Sequence, residues 1–238
     1  MRNFLVVIMT FLASNLALAS TTLQPERTIV IEGPITGGIV GPVLSTFDKL
    51  VAKDKDAPVD VVISSPGGSL VAGYLIVDRM EALRAEGVRF RCLVRSVAAS
   101  MAFQLLLHCD ERYSTPHAFL LWHPVRVFYQ GPLTADMSKV LGKQMSLSDK
   151  MIKDELYKFL PVAKPVIDWH FTNETLHHAT QLDKLAPGFF VDVSSKVGNA
   201  FLDEGVALNT AKIGGFFLDQ TTIQYIHEQF IKKVEVTK

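Results

Sequence analysis

The chain has 238 residues, nearly half of them apolar, which suits one sizeable domain with a buried core and excludes a disordered polymer. Its 24 basic and 24 acidic side chains cancel, so bulk electrostatics favour neither nucleic acid nor an acidic surface as partner.

The opening run, MRNFLVVIMTFLASNLALAS, pairs an early cation with an apolar stretch and ends in the small-x-small pattern Ala17-Leu18-Ala19. It reads as a secretory signal over 1–19, cut after Ala19, with an uncleaved anchor as the rival. The mature domain is then 20–238. No other stretch is long and apolar enough to span a bilayer.

Thr28 to Ile31 (TIVI) reads as a first buried strand closed by Gly33-Pro34, and Val40 to Val51 has helical spacing. VDVVIS, Val59 to Ser64, is apolar without alternation, as a parallel strand covered on both faces would be. It runs into SSPGG, Ser64 to Gly68, whose glycines let backbone N–H groups approach a ligand. Leu70 to Leu83 is a helix with Gly87 beyond its end, and VRFRCLV begins a third strand.

That strand leads to RSVAASMAFQLLL, Arg95 to Leu107, where Ser100 sits between an apolar strand and an apolar helix. A hydroxyl there lies beside the first free N–H groups of the helix, which can hold an oxyanion. Taken alone, such a serine is an ordinary helix cap. CDERYSTP reads as a polar connection, AFLLW as a further strand, and His123 follows in LLWHP. Strands alternating with helices imply an α/β fold of βα units, in which strand ends on one edge gather ligand groups.

Leu133 to Trp169 has helical spacing and mixed polarity, with breaks at Pro161 and Pro165. His177 and His178 are adjacent, so on a helix they would diverge, and no ligand set with zinc spacing appears. Cys92 and Cys109 flank the Ser100 unit as either a disulfide or two buried thiols.

Five pieces in order, RTIVIEGPI, VDVVISSPGGSLVAGYLIVDRM, VRFRCLVRSVAASMAFQLLL, ERYSTPHAFLLWHPV and YQGPLTADM, resemble the proteolytic subunit of the Clp protease over about 27–219. The resemblance implies stacked βα units of the fold shared with crotonases, a protruding helical handle near 133–169, and a homo-oligomer. It further implies Ser100 as nucleophile, His123 as base, the N–H groups of Gly68 and Met101 as oxyanion hole, and substrate contacts at Gly67 and Ser69. The family's third member, an aspartate, falls on Asn199 if Phe201-Leu202 opens the closing helix. If Phe189-Phe190 does so, the position is Pro187 or Gly188, and Asp183 or Asp192 must reach in.

The expected function is an exported bacterial serine peptidase, periplasmic or secreted, cutting peptides or unfolded chains with no cofactor, no metal, no membrane contact and no partner ATPase. The competing readings are a non-catalytic peptide-binding scaffold, motivated by Asn199, and a Ser-Lys peptidase with Lys139 or Lys143 as base.

Overall fold

The structure, a computed structural model, describes residues 23–199 and 212–213. The expected signal segment and most of the closing segment lie outside them.

After a single 3-10 turn at Pro25–Arg27, strand β1 (Thr28–Glu32) leads to α1 (Gly37–Lys53), β2 (Val59–Ser65) and α2 (Leu70–Ala85). The apolar spacing of α1 places Ile39, Val43 and Phe47 on one buried face, and Pro42, inside the helix in its second turn, leaves the Gly38 carbonyl without its i+4 donor. Six of the seven residues of β2 are buried, as its unbroken apolar run requires of a strand covered on both sides. Ser69 caps α2 by accepting a hydrogen bond from the Ala72 N–H.

Strand β3 (Phe90–Ala99) is the longest, and its length gives it two successive neighbours on one edge. Its first half pairs in parallel with β4 (Glu111–Ser114), in register Leu93 with Tyr113. Its last residues pair in parallel with β5 (Phe119–Leu121), in register Ala99 with Leu121. Between the two strands that flank it, α3 (Met101–Leu107) is wholly buried. The polar run CDERYSTP, expected to be a connection, therefore holds a strand. Its arginine explains why: Arg112 donates to the Phe189, Leu107 and Cys109 carbonyls and lies over the Phe189 ring.

The long amphipathic region folds as α4 (Ala135–Phe159) and α5 (Lys164–Asn173), with Pro165 in the first turn of α5. Then follow β6 (His177–His178), α6 (Ala179–Leu185), β7 (Asp192–Val193) and α7 (Ser195–Asn199). His177 and His178 thus lie on a strand, not a helix, antiparallel to β5. The final pairing, β8 (Lys212–Ile213), is parallel to β1. The sheet runs β6-β5-β3-β2-β1-β8, parallel throughout except at β5–β6, and one main apolar core fills the space between it and the helices.

Cys92 of β3 and Cys109, just beyond α3, form a disulfide with Cα atoms 6.0 Å apart, which resolves the open choice about these thiols. The bridge closes a loop of 17 residues that contains Ser100. Loop-closure entropy at that length predicts that C92A/C109A loses about 3 kcal/mol of stability. Urea unfolding with and without reductant reads this directly, and identical midpoints would contradict it.

Candidate active site

Ser100 follows β3 and precedes α3 with φ 55° and ψ −125°, a conformation that L-residues other than glycine rarely adopt. Its hydroxyl does not cap the helix, and among the described residues it makes no hydrogen bond. Its N–H donates to the Leu121 carbonyl at 2.8 Å, which ties it to the end of β5 two residues before His123.

The glycine turn after β2 presses against the same point. A Cβ on Gly67 would lie 2.6 Å from Ser100 Cβ and 2.8 Å from the Met101 nitrogen, and Gly67 already has a positive φ of 90°. The turn is braced by Ile35, whose N–H donates to the Gly67 carbonyl and whose carbonyl accepts from the Ser69 N–H. The Gly67 N–H donates to Ser65 Oγ. Polar groups of Gly67 and Ser69 therefore hold the turn together. Among the described residues, the Gly68 and Met101 N–H groups are left without acceptors, on either side of the Ser100 turn.

His123 is partly buried, and its Nδ1 donates to the Pro124 carbonyl at 2.6 Å. An acceptor at Nδ1 fixes the proton there and leaves the Nε2 lone pair free, the tautomer a general base needs. Burial holds the imidazole below its ordinary titration range, and the Arg126 charge adds to this; the Pro124 carbonyl, Glu174 and Asp149 act the other way.

Behind His123, Trp122 stacks on His177 at 4.9 Å between centroids, and His170 meets His177 edge-on at 4.6 Å. Burial, with His170 nearby, holds the His177 imidazole down to about 4. Among the described residues no group of three or more His, Cys, Asp or Glu could hold a metal ion.

The candidates for the third member separate clearly. Asp192 is in register with Tyr113 and so with Leu93, about 20 Å down β3 from Ala99 by strand rise. It accepts from Ser194 Oγ. Asp183 lies on α6, and neither it nor Asp192 is among the charges that shift His123. Asn199 ends α7, and its side chain lies outside the described residues. Lys139 is exposed and pairs with Asp136 on its own helix, and Lys143 is exposed on the same helix.

One carboxylate was missed in the sequence. The β5–β6 ladder pairs Leu120 with His177, and each step forward on β5 meets a step back on the partner strand. Glu174, the C-cap of α5, lies three residues before that pairing; its charge acts on the His123 imidazole and its carboxylate pairs with Arg126. Its signal is the strand pairing of His177, which a helical reading of that segment hides.

These features define an α/β protein that presents a strained serine, an imidazole in the base tautomer and two free main-chain N–H groups at one edge of a parallel sheet. A Clp protease family model matches residues 14–156, and the chain belongs to that family. It is similar to the ATP-dependent Clp protease proteolytic subunit of Lactococcus lactis subsp. lactis (strain IL1403), with 26% identity over 137 residues, 56% of this chain and 67% of that protein. The family match ends inside α4, so it reaches Ser100 and His123 but neither Glu174 nor Asn199.

Two outcomes follow from the packing. Gly67→Ala forces a Cβ onto Ser100 and Met101, and should abolish labelling of Ser100 by an active-site probe while the wild type is labelled. For His177, the unfolded imidazole titrates near 6.5 and the folded one near 4, so stability is intact above about 6.5 and falls as pH drops toward 4. Thermal unfolding from pH 7 to 4 should show this loss, and H177Q should reduce it.

Proposed function

We propose that the chain is a serine peptidase that hydrolyses peptide bonds in peptides or unfolded chains. The observation that carries this reading is the strained Ser100, with the Gly67 backbone packed on it and unpartnered N–H groups at Gly68 and Met101. Ser100 Oγ attacks the scissile carbonyl while His123 Nε2 takes its proton and returns it to the leaving amine. The Gly68 and Met101 N–H groups hold the developing oxyanion, a type of contact worth roughly 10²- to 10³-fold in turnover per donor. Glu174 is the carboxylate whose negative charge would stabilise the imidazolium, a charge that Asn199, at the family's aspartate position by the sequence reading, does not carry.

The reading extends to an exported enzyme, periplasmic or secreted, with residues 1–19 as a cleaved signal and 20–238 as the mature domain. The disulfide at Cys92–Cys109 supports an oxidising compartment. The similar Lactococcus protein is named ATP-dependent, and outside the cytoplasm no ATP is at hand, so this enzyme acts without a partner ATPase. Exposed Val140, Leu147 and Met151 along α4, a helix of about 37 Å by its rise, favour a homo-oligomer assembled through that helix.

A fluorophosphonate should label the full chain at Ser100, with S100A unlabelled and H123A slowed by at least roughly 10³-fold. Equal labelling of wild type and S100A would end the proposal. Because the base must be neutral and burial lowers its pKa, labelling should persist to lower pH than an ordinary imidazole allows, with a midpoint below 6.5. A pH profile of the labelling rate reads that midpoint.

A further inference from the structure

Resting on the roles proposed for Ser100 and His123, we propose that Arg126 is a positioning residue that holds the Glu174 carboxylate away from His123 and so keeps the site in a low-activity state. The short segment His123-Pro124-Val125-Arg126 carries both the base and its competitor for the same carboxylate. Arg126 Nη2 donates to Glu174 Oε2, and their side chains are one-third and under one-fifth exposed. The segment is pinned to α4, where the Val125 N–H donates to Asp149 Oδ1 at 2.7 Å. Arg126 and Glu174, paired with each other, both act on the His123 imidazole and do so in opposite senses.

With Glu174 engaged, His123 Nδ1 donates to the nearest neutral acceptor, the Pro124 carbonyl. That contact fixes the tautomer but stabilises an imidazolium less than a carboxylate does. The guanidinium charge beside the ring opposes imidazolium formation further. Both effects act on the step in which Ser100 loses its proton. Glu174 already acts on His123 as a nearby charge, so releasing Arg126 would leave the imidazole as a cationic partner for that carboxylate.

Among the described residues, the ionisable groups that act on His123 are few enough for a clean test. Its own segment contributes Arg126, the end of α5 contributes Glu174, and α4 contributes Asp149. His170 and His177 stand behind Trp122, and α3 carries no ionisable side chain.

The experiment is a titration of His123 by NMR in the full chain carrying S100A, with 13C-labelled histidine and H123Q to identify the resonance. R126Q should raise the His123 midpoint by about half a pH unit or more, E174Q should lower it, and R126K should leave it near the S100A value. In R126Q/E174Q the rise should shrink, because the freed carboxylate is gone. An unmoved midpoint in folded R126Q, or in E174Q, overturns the proposal; E174Q alone decides if R126Q does not fold. In the chain with Ser100 intact, R126Q should react with fluorophosphonate several-fold faster at high pH. Shifted midpoints with no labelling of any variant would remove the peptidase reading and leave the clamp. Labelling with unmoved midpoints would remove the clamp and leave the peptidase.

Discussion

The site depends on one backbone constraint: after a register shift against β2, β3 is paired again at Ala98 and Ala99, and Ser100 then turns through a conformation that costs on the order of 1–3 kcal/mol for a residue with a Cβ. Three contacts hold it there. The Ser100 N–H is bound to β5, the Gly67 backbone fills the space above it, and α3 begins at once in the buried core. A relaxed serine would cap α3 with its hydroxyl. The strained one makes no capping bond and, among the described residues, leaves the Met101 N–H without an acceptor, so the strain and the open N–H have the same cause.

The supports of that turn come from three places in the chain, and β3 is what gathers them. Its length lets β2 pair along one edge while β4 and then β5 share the other, so the ends of β2, β3 and β5 finish together. Ser64-Gly68, Ser100 and His123 follow those three ends. The disulfide joins the lower half of β3 to the far end of α3, closing the unit that carries Ser100. Trp122, buried between Phe103 and His177, fixes the residue from which His123 emerges.

What the sequence made legible was what local chemistry dictates. The unbroken apolar run of β2, the glycines after it and the serine between strand and helix each announce themselves within ten residues. Elements whose stability comes from distant partners did not. β4 is polar in sequence because Arg112 spends its charge on carbonyls and on the face of Phe189, 77 residues away. His177 and His178 form a strand only because β5 offers an edge, and an isolated His-His pair carries no period. Glu174, three residues before that pair, goes unread for the same reason, since nothing local in the sequence sets its charge beside His123.

Glu174 bears two further marks of a position held for something other than the helix it ends. Its φ of 49° is left-handed, where glycine or asparagine is the usual choice. Its carboxylate sits at the negative end of the α5 dipole, where an anion costs roughly 0.3–1 kcal/mol and a cation would be favoured. The electrostatic penalty is relieved by a positive neighbour: the permanent guanidinium of Arg126 is one, and in the proposed mechanism the His123 imidazolium would be a second. A carboxylate placed badly for its own helix is placed well for either cation. Permanent charge holds the carboxylate at rest, and in the proposed mechanism transient charge would compete for it, so that balance would set how readily Ser100 gives up its proton.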